Sequence, residues 1–385
     1  MDIRSAMKVP RYRLLLWAAF LAAALFFVFQ MRILPGGAQG QAPKGFELLD
    51  SLMRLIRNDY LEERDPAETA EGTYRGLVNS LDPLSAYLNK ELTVRYSGRD
   101  GLTMDPGLIV LKRYASFPQV VGVVERSFAA EADIKPGDLL SAVEGRNSLN
   151  MSLAEVNLLL RGKDERPVRV RVLRGNETRD LELRRGLYRP KAWQVDPNLS
   201  GKYGIIKVDR IVPGLAEGLR AELAKPAGDK KRPFVLDLRN CHEGDLEEAL
   251  GLANLFLKTA DAGRFEKKGG AKRPVACPAE PVAGQNPLIV WVNPGTMGPA
   301  ELAAGLLREV RKAKVVGFAT PGLVGRTEFL PLEDGTSILL TAEVYVLPSG
   351  QKLWDQGVKP DVALPIQSLD DKNYREKTLP ILPKL

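Results

Sequence analysis

Leu288-Ile-Val-Trp-Val-Asn-Pro-Gly-Thr-Met-Gly-Pro-Ala-Glu-Leu-Ala-Ala-Gly-Leu-Leu-Arg-Glu-Val-Arg-Lys312 is the stretch whose reading decides the fold. It opens as an unbroken apolar strand, passes through a glycine turn ending at Gly298, and continues as a helical pattern over 299–312. A second strand-like segment, 314–320, follows at once and ends in Pro321-Gly-Leu-Val-Gly325. A strand feeding a helix through such a turn aims backbone N–H groups and the positive helix end at one point in space. Many hydrolases present a nucleophile and stabilise an oxyanion in this way. The chemistry for that task is missing here. The turn offers one hydroxyl, Thr296; Leu323 is apolar; and Pro299 has no N–H to give.

Outward from this stretch, segments 203–208 and 233–239 are also strand-like, and helical patterns fill 214–224 and 245–259. Strands alternating with helices predict a layered α/β domain, assigned to 187–369, with ligands at the carboxyl ends of the strands. The turns at Asn240 and Gly298 would both lie at that end. A hairpin across Glu333-Asp-Gly335 joins 327–332 to 337–346, and 370–385 reads as a polar tail, loose or used in assembly. Upstream, 98–186 is a small β-rich domain with turns at Lys135-Pro-Gly-Asp138, Glu144-Gly-Arg146 and Arg174-Gly-Asn176. One helix, 152–161, interrupts it, with Ser152 placed to cap it and Val156, Leu159 and Leu160 as its apolar stripe. Residues 43–97 carry helical spacing, including Leu48, Leu52, Leu55 and Ile56.

The first 42 residues have a different character. Arg4, Lys8, Arg11 and Arg13 precede an apolar run from Leu14 to Phe29, which Met31, Ile33 and Leu34 can extend. This is an export segment with its basic end held in the cytoplasm. The reading taken is a retained anchor over 14–34, with the remainder on the periplasmic side of an inner membrane. A signal cleaved near Ala38, Gly40 or Ala42 is the alternative.

A net charge of +7 over 385 residues, with its basic clusters in Gly/Pro-rich loops, argues against a nucleic-acid face. Two cysteines, Cys241 and Cys277, and one histidine, His242, exclude a Cys/His zinc centre, and no cofactor or metal is expected. The cysteines could pair in an exported chain or stay as thiols, and the sequence leaves both open.

Several motifs in one order then resemble the C-terminal processing peptidases, also called tail-specific proteases. They are Leu81-Asp-Pro-Leu-Ser-Ala-Tyr-Leu88, Ser127-Phe-Ala-Ala-Glu-Ala-Asp-Ile-Lys-Pro-Gly-Asp-Leu-Leu140, and the stretch around Asn240-Cys-His-Glu-Gly244. Asn293-Pro-Gly-Thr-Met-Gly-Pro-Ala-Glu-Leu302, Val316-Gly-Phe-Ala-Thr-Pro-Gly322 and Gly357-Val-Lys-Pro-Asp-Val362 complete the set. The resemblance implies a PDZ domain followed by a crotonase-like α/β peptidase domain using a serine and a lysine. Carried onto this chain, the serine's place falls at Gly298, the lysine's at Leu323 and that of the lysine-orienting glutamine at Thr327. The oxyanion donors fall at Pro299 and in the loop holding Glu243 and Gly244, so the implied catalytic groups are all replaced. Thr296 reads as a turn residue and His242 as an exposed loop residue. The implied peptide site is a carboxylate loop at Gly101, Leu102, Thr103 and Met104, with Val156 and Leu160 on the facing helix. The expectation is a pseudopeptidase that holds protein tails, a second copy or an active peptidase without cutting. An active peptidase with an unorthodox site and a structural envelope scaffold are the alternatives.

Overall fold

The computed structural model describes residues 44–62, 65–187, 191–199, 203–224, 232–365 and 370–382. The expected export segment, 14–34, lies outside them. Among the described residues no helix is long and apolar enough to cross a membrane. The chain divides into two compact units, Met1–Ala70 and Glu71–Leu385. In the first, the helix Lys44–Asp59 carries the expected apolar spacing, with Leu48, Leu52, Leu55 and Ile56 exposed. The helix Pro66–Asn79 crosses the boundary.

The second unit is built on three sheets. The first has six strands, in the order Val362–Ala363, Lys314–Gly317, Leu288–Val292, Phe234–Asp237, Tyr203–Val208 and Trp193–Leu199. Neighbours are parallel apart from the last pair. Leu288–Val292 is buried at every position, as its uninterrupted apolar sequence requires. Leu236 pairs with Val290, and Val290 with Val315, so the three central strands stack in register. The helices Leu215–Leu223, Leu246–Ala253 and Pro299–Glu309 pack on one face around Leu236, Val290, Leu302 and Leu306. Pro299 opens its helix, where a missing N–H leaves no intrahelical bond unmade.

Residues 370–382 correct the reading of a polar tail: Asp371–Thr378 is a helix docked on the opposite face of the same sheet. Tyr374, fully buried, donates its hydroxyl to the Val292 carbonyl at 2.7 Å, and Trp291 Nε1 donates to Thr378 Oγ1 at 2.8 Å. Arg239 lies 4.8 Å from the Trp291 ring centre and 4.5 Å from that of Tyr374. It also pairs with Asp237 at 2.6 Å and Asp371 at 2.7 Å. The strand expected over 314–320 stops at Gly317, whose φ of +133° suits glycine. A Cβ there would stand 1.9 Å from the Val292 carbonyl oxygen.

A second sheet orders Ala86–Leu88, Ser337–Val346, Arg264–Lys267 and Lys272–Pro274, with Gly325–Pro331 pairing Ser337–Val346 as the expected hairpin. Ala86–Leu88 is stitched in place by Asp82, which accepts from Ser85 N at 2.8 Å and from Thr341 Oγ1 at 2.9 Å. The third sheet orders Leu108–Leu111, Gln119–Val123, Leu139–Val143, Val168–Arg174 and Glu177–Leu183. The helix Leu153–Leu160 packs against it, and Ser152 caps that helix by accepting from Glu155 N at 3.1 Å.

Candidate functional site

A single cleft of about 1300 Å³ joins the β-rich domain to the carboxyl ends of the parallel sheet. Glu243, Gly244, Gly298, Pro299, Leu323 and Thr327 line it together, although they come from three separate segments. Gly298 holds φ +54° and ψ −111°, the sharp turn that lifts a nucleophile out of a strand, with no side chain on it. A Cβ at Gly298 would lie 3.6 Å from the Leu323 carbonyl oxygen, so the serine and lysine places remain neighbours.

What fixes that geometry is Glu301, in the first turn of the helix and fully buried. Its Oε2 accepts from Gly298 N at 2.9 Å and Leu323 N at 2.7 Å. Its Oε1 accepts from Gly322 N at 2.6 Å and Thr320 Oγ1 at 2.5 Å. Burial pushes the carboxyl up from its ordinary value, while these four donors pull the other way. Glu301 therefore ties the turn at Gly298 to the loop at Gly322 and Leu323. Its acid, set in a helix of ordinary composition, gave no sign of this in the sequence beyond its position in the matched motif.

The apolar replacements are packed, not vacant. Leu323 and Met297 are each 6% exposed and belong to the same apolar cluster as Ile109, Val120, Leu160 and Val170 of the β-rich domain. Gly122 of that domain lies against Asn240, where a Cβ would meet Oδ1 at 2.4 Å. Asn240 is held in turn by Asn293, whose Oδ1 accepts from Asn240 N at 2.9 Å. Glu243 pairs with Arg161 at the end of the helix Leu153–Leu160, and both line the cleft. Arg161 was not read from the sequence, because the pair spans two domains.

Other groups that could attack are committed elsewhere. Thr296 is fully buried; its Oγ1 donates to the Leu238 carbonyl at 2.8 Å and accepts from Asn293 N at 3.0 Å. Cys241 and Cys277 are unpaired and buried. Burial holds the Cys241 thiol far above its usual range and raises that of Cys277 to about 11, so neither is a ready thiolate. His242 is half-buried rather than exposed, correcting the sequence reading, because its ring folds back to place Nδ1 3.0 Å from the Asn240 carbonyl. Burial lowers its pKa from 6.5 to about 4. The unfolded chain then takes up a proton that the folded chain refuses, so stability falls as pH drops from about 6.5 towards 4. Urea unfolding of His242→Gln should show a shallower loss over that window; an unchanged slope would overturn the assignment.

The peptide-site reading also needs correction. Gly101 N donates to the Gly98 carbonyl at 3.1 Å, Leu102 N to that of Arg99 at 2.8 Å, and Met104 N to that of Gly162 at 3.0 Å. With those donors taken and Leu102 buried, Gly101, Leu102, Thr103 and Met104 form no carboxylate cradle, and none of them lines the cleft. Val156 points into the domain interior with no exposure, whereas Leu160 does line the cleft. The groove instead runs between the strand Leu108–Leu111 and the helix Leu153–Leu160.

Residues 202–364 match peptidase family S41, and residues 119–174 match a PDZ domain. Residues 202–364 are thus similar to a peptidase family S41 domain, and the chain is related to the C-terminal processing peptidases. A probable CtpA-like serine protease of Staphylococcus aureus is 28% identical over 322 residues, 82% of this chain and 64% of that protein. A counterpart from Staphylococcus haemolyticus is 26% identical over 317 residues, 81% of this chain and 63% of that one. The chain thus spans less than two thirds of the length of these curated relatives. Among solved structures, the photosystem II D1 C-terminal processing protease has the same fold. Its TM-score is 0.68 at 21% identity, over 86% of this chain and 90% of that one. The chain therefore combines a PDZ domain with a mixed α/β domain of the S41 peptidase type, carrying glycine and leucine at the places where the resemblance puts serine and lysine.

Proposed function

We propose that this chain holds an extended stretch of a partner polypeptide in its cleft and does not hydrolyse it. The observation that carries the reading is the pair of neighbouring positions Gly298 and Leu323. One has no side chain, and the other is an apolar side chain sunk in the PDZ core. Peptide hydrolysis needs an activated nucleophile and a base within reach of it, and the buried, hydrogen-bonded Thr296 and the protonated Cys241 thiol supply neither. The edge strand Leu108–Leu111 retains an unpaired side within the described residues, which suits capture of a chain by strand addition. The basic start and apolar run of 14–34 support placing this activity at the periplasmic face of a membrane, tethered by that segment. The captured chain can belong to a client protein, a second copy or an active peptidase.

The test is to incubate purified protein with an unfolded substrate bearing a free tail, following intact mass and fluorescence anisotropy together. Binding with no new fragments is the expected outcome. Fragments whose appearance stops on Thr296→Val or Cys241→Ser would replace this reading with that of an active peptidase of unusual chemistry.

A further inference from the structure

We infer that the PDZ groove of this chain receives an internal, extended segment of a partner protein and disfavours a free C-terminal carboxylate. The inference rests on the peptide-holding reading above and narrows it to one kind of ligand. The groove is formed by the edge strand Leu108–Leu111 and the helix Leu153–Leu160, with Leu153, Asn157 and Leu160 facing the cleft at helical spacing. A peptide added to such an edge is held by its main chain, and its last residue reaches the turn that begins the strand. A carboxylate is stabilised there only if the turn offers amide hydrogens.

This turn is Asp105-Pro106-Gly107, and it withholds them. Pro106 has no N–H. Gly107 N donates to Asp105 Oδ1 at 2.7 Å, so the chain's own carboxylate already occupies the donor that a ligand's would need. Asp105 is itself pinned, with its N–H on the Gly186 carbonyl at 3.2 Å and its carbonyl accepting from Gly186 N at 2.9 Å. Its side chain lines the cleft, and burial raises its pKa, opposed by the Gly107 amide and Arg161. Arg161 is paired with Glu243, another acid on the same cleft. A terminal carboxylate would therefore arrive beside Asp105, and the Arg161 that acts on Asp105 is already paired with Glu243. The middle of a chain brings no such charge, and the cavity continues to Gly298 and Thr327, which leaves room for the chain to run on.

The experiment uses the full chain and one labelled peptide of alternating valine and serine in three forms: free acid, C-terminal amide, and extended past its end by a Gly-Ser stretch. The amide and the extended form should bind about tenfold more tightly than the acid, the size of one unfavourable charge contact. Asp105→Asn, which keeps an oxygen for the Gly107 amide, should bring the acid to within about twofold of the others. Pro106→Ala, which restores an N–H, should strengthen the acid selectively. Equal or tighter binding of the acid by the native chain overturns this inference while leaving peptide capture intact. Binding of none of the three forms removes the peptide-holding reading itself, and the inference with it.

Discussion

Glu301→Gln lowers folding stability by about 3 kcal/mol or more, seen as a fall in urea midpoint with an unchanged slope. The exposed Glu333→Gln leaves the midpoint where it was. The native carboxylate accepts from three backbone amides and the Thr320 hydroxyl. An amide side chain keeps one oxygen and turns an NH₂ towards the remaining donors. A buried donor left without an acceptor costs about 1–3 kcal/mol, and two are orphaned together here. The neighbouring helix residues Leu302 and Leu306 stay packed, so the deficit belongs to the polar cluster. A midpoint shift equivalent to less than about 1 kcal/mol would show that Glu301 does not hold the two loops.

Restoring the missing side chains does not restore a peptidase. The double variant Gly298→Ser, Leu323→Lys should show no turnover above background on an unfolded, tail-bearing substrate. Adding Pro299→Ala should raise the rate by about a hundredfold, the usual worth of one oxyanion donor. The serine at 298 must adopt φ +54°, a strain of about 1–3 kcal/mol that the elbow geometry imposes on any residue but glycine. The lysine at 323 must enter an apolar cluster shared with the PDZ core, where burial keeps it neutral but weakens the packing. Both variants are checked for folding by thermal melt, so that lost structure is not mistaken for lost chemistry. Turnover by the double variant that matches the triple variant would refute the role given to Pro299.

How much of this was legible from residues depends on the range of the interaction involved. The strand Leu288–Val292 and the helix after it were readable because local apolar pattern and local turn residues agree. The turns at Asn240 and Gly298 were legible as neighbours because strand-end turns of a parallel sheet share one side of it, whereas Leu323 and Thr327 were put beside them only by the motif resemblance, Thr327 lying in the hairpin strand Gly325–Pro331 of another sheet. The peptide loop was set at Gly101 to Met104 by its position in the PDZ resemblance, whereas the Gly101, Leu102 and Met104 amides are taken by the carbonyls of Gly98, Arg99 and the distant Gly162. The turn that does open the groove, Asp105 to Gly107, is recognisable only once Leu108–Leu111 is known to be an edge strand. The helix Asp371–Thr378 escaped notice because most of its residues are polar, and it is held by two fully buried side chains, Tyr374 and Thr378. The role of Glu301 depends on backbone groups from loops about twenty residues downstream, which no helical pattern reveals.

The docking of Tyr374 and Thr378 bears on how the chain matures. The sheet face carrying Tyr203, Val235, Ile289 and Trp291 has its cover supplied from residues 82 positions beyond the strand it closes. A polypeptide emerging amino end first therefore displays an oily ledge from the time these strands are made until the helix Asp371–Thr378 follows them. The vulnerable interval for misassociation is thus set by the rate of elongation across residues 292–374.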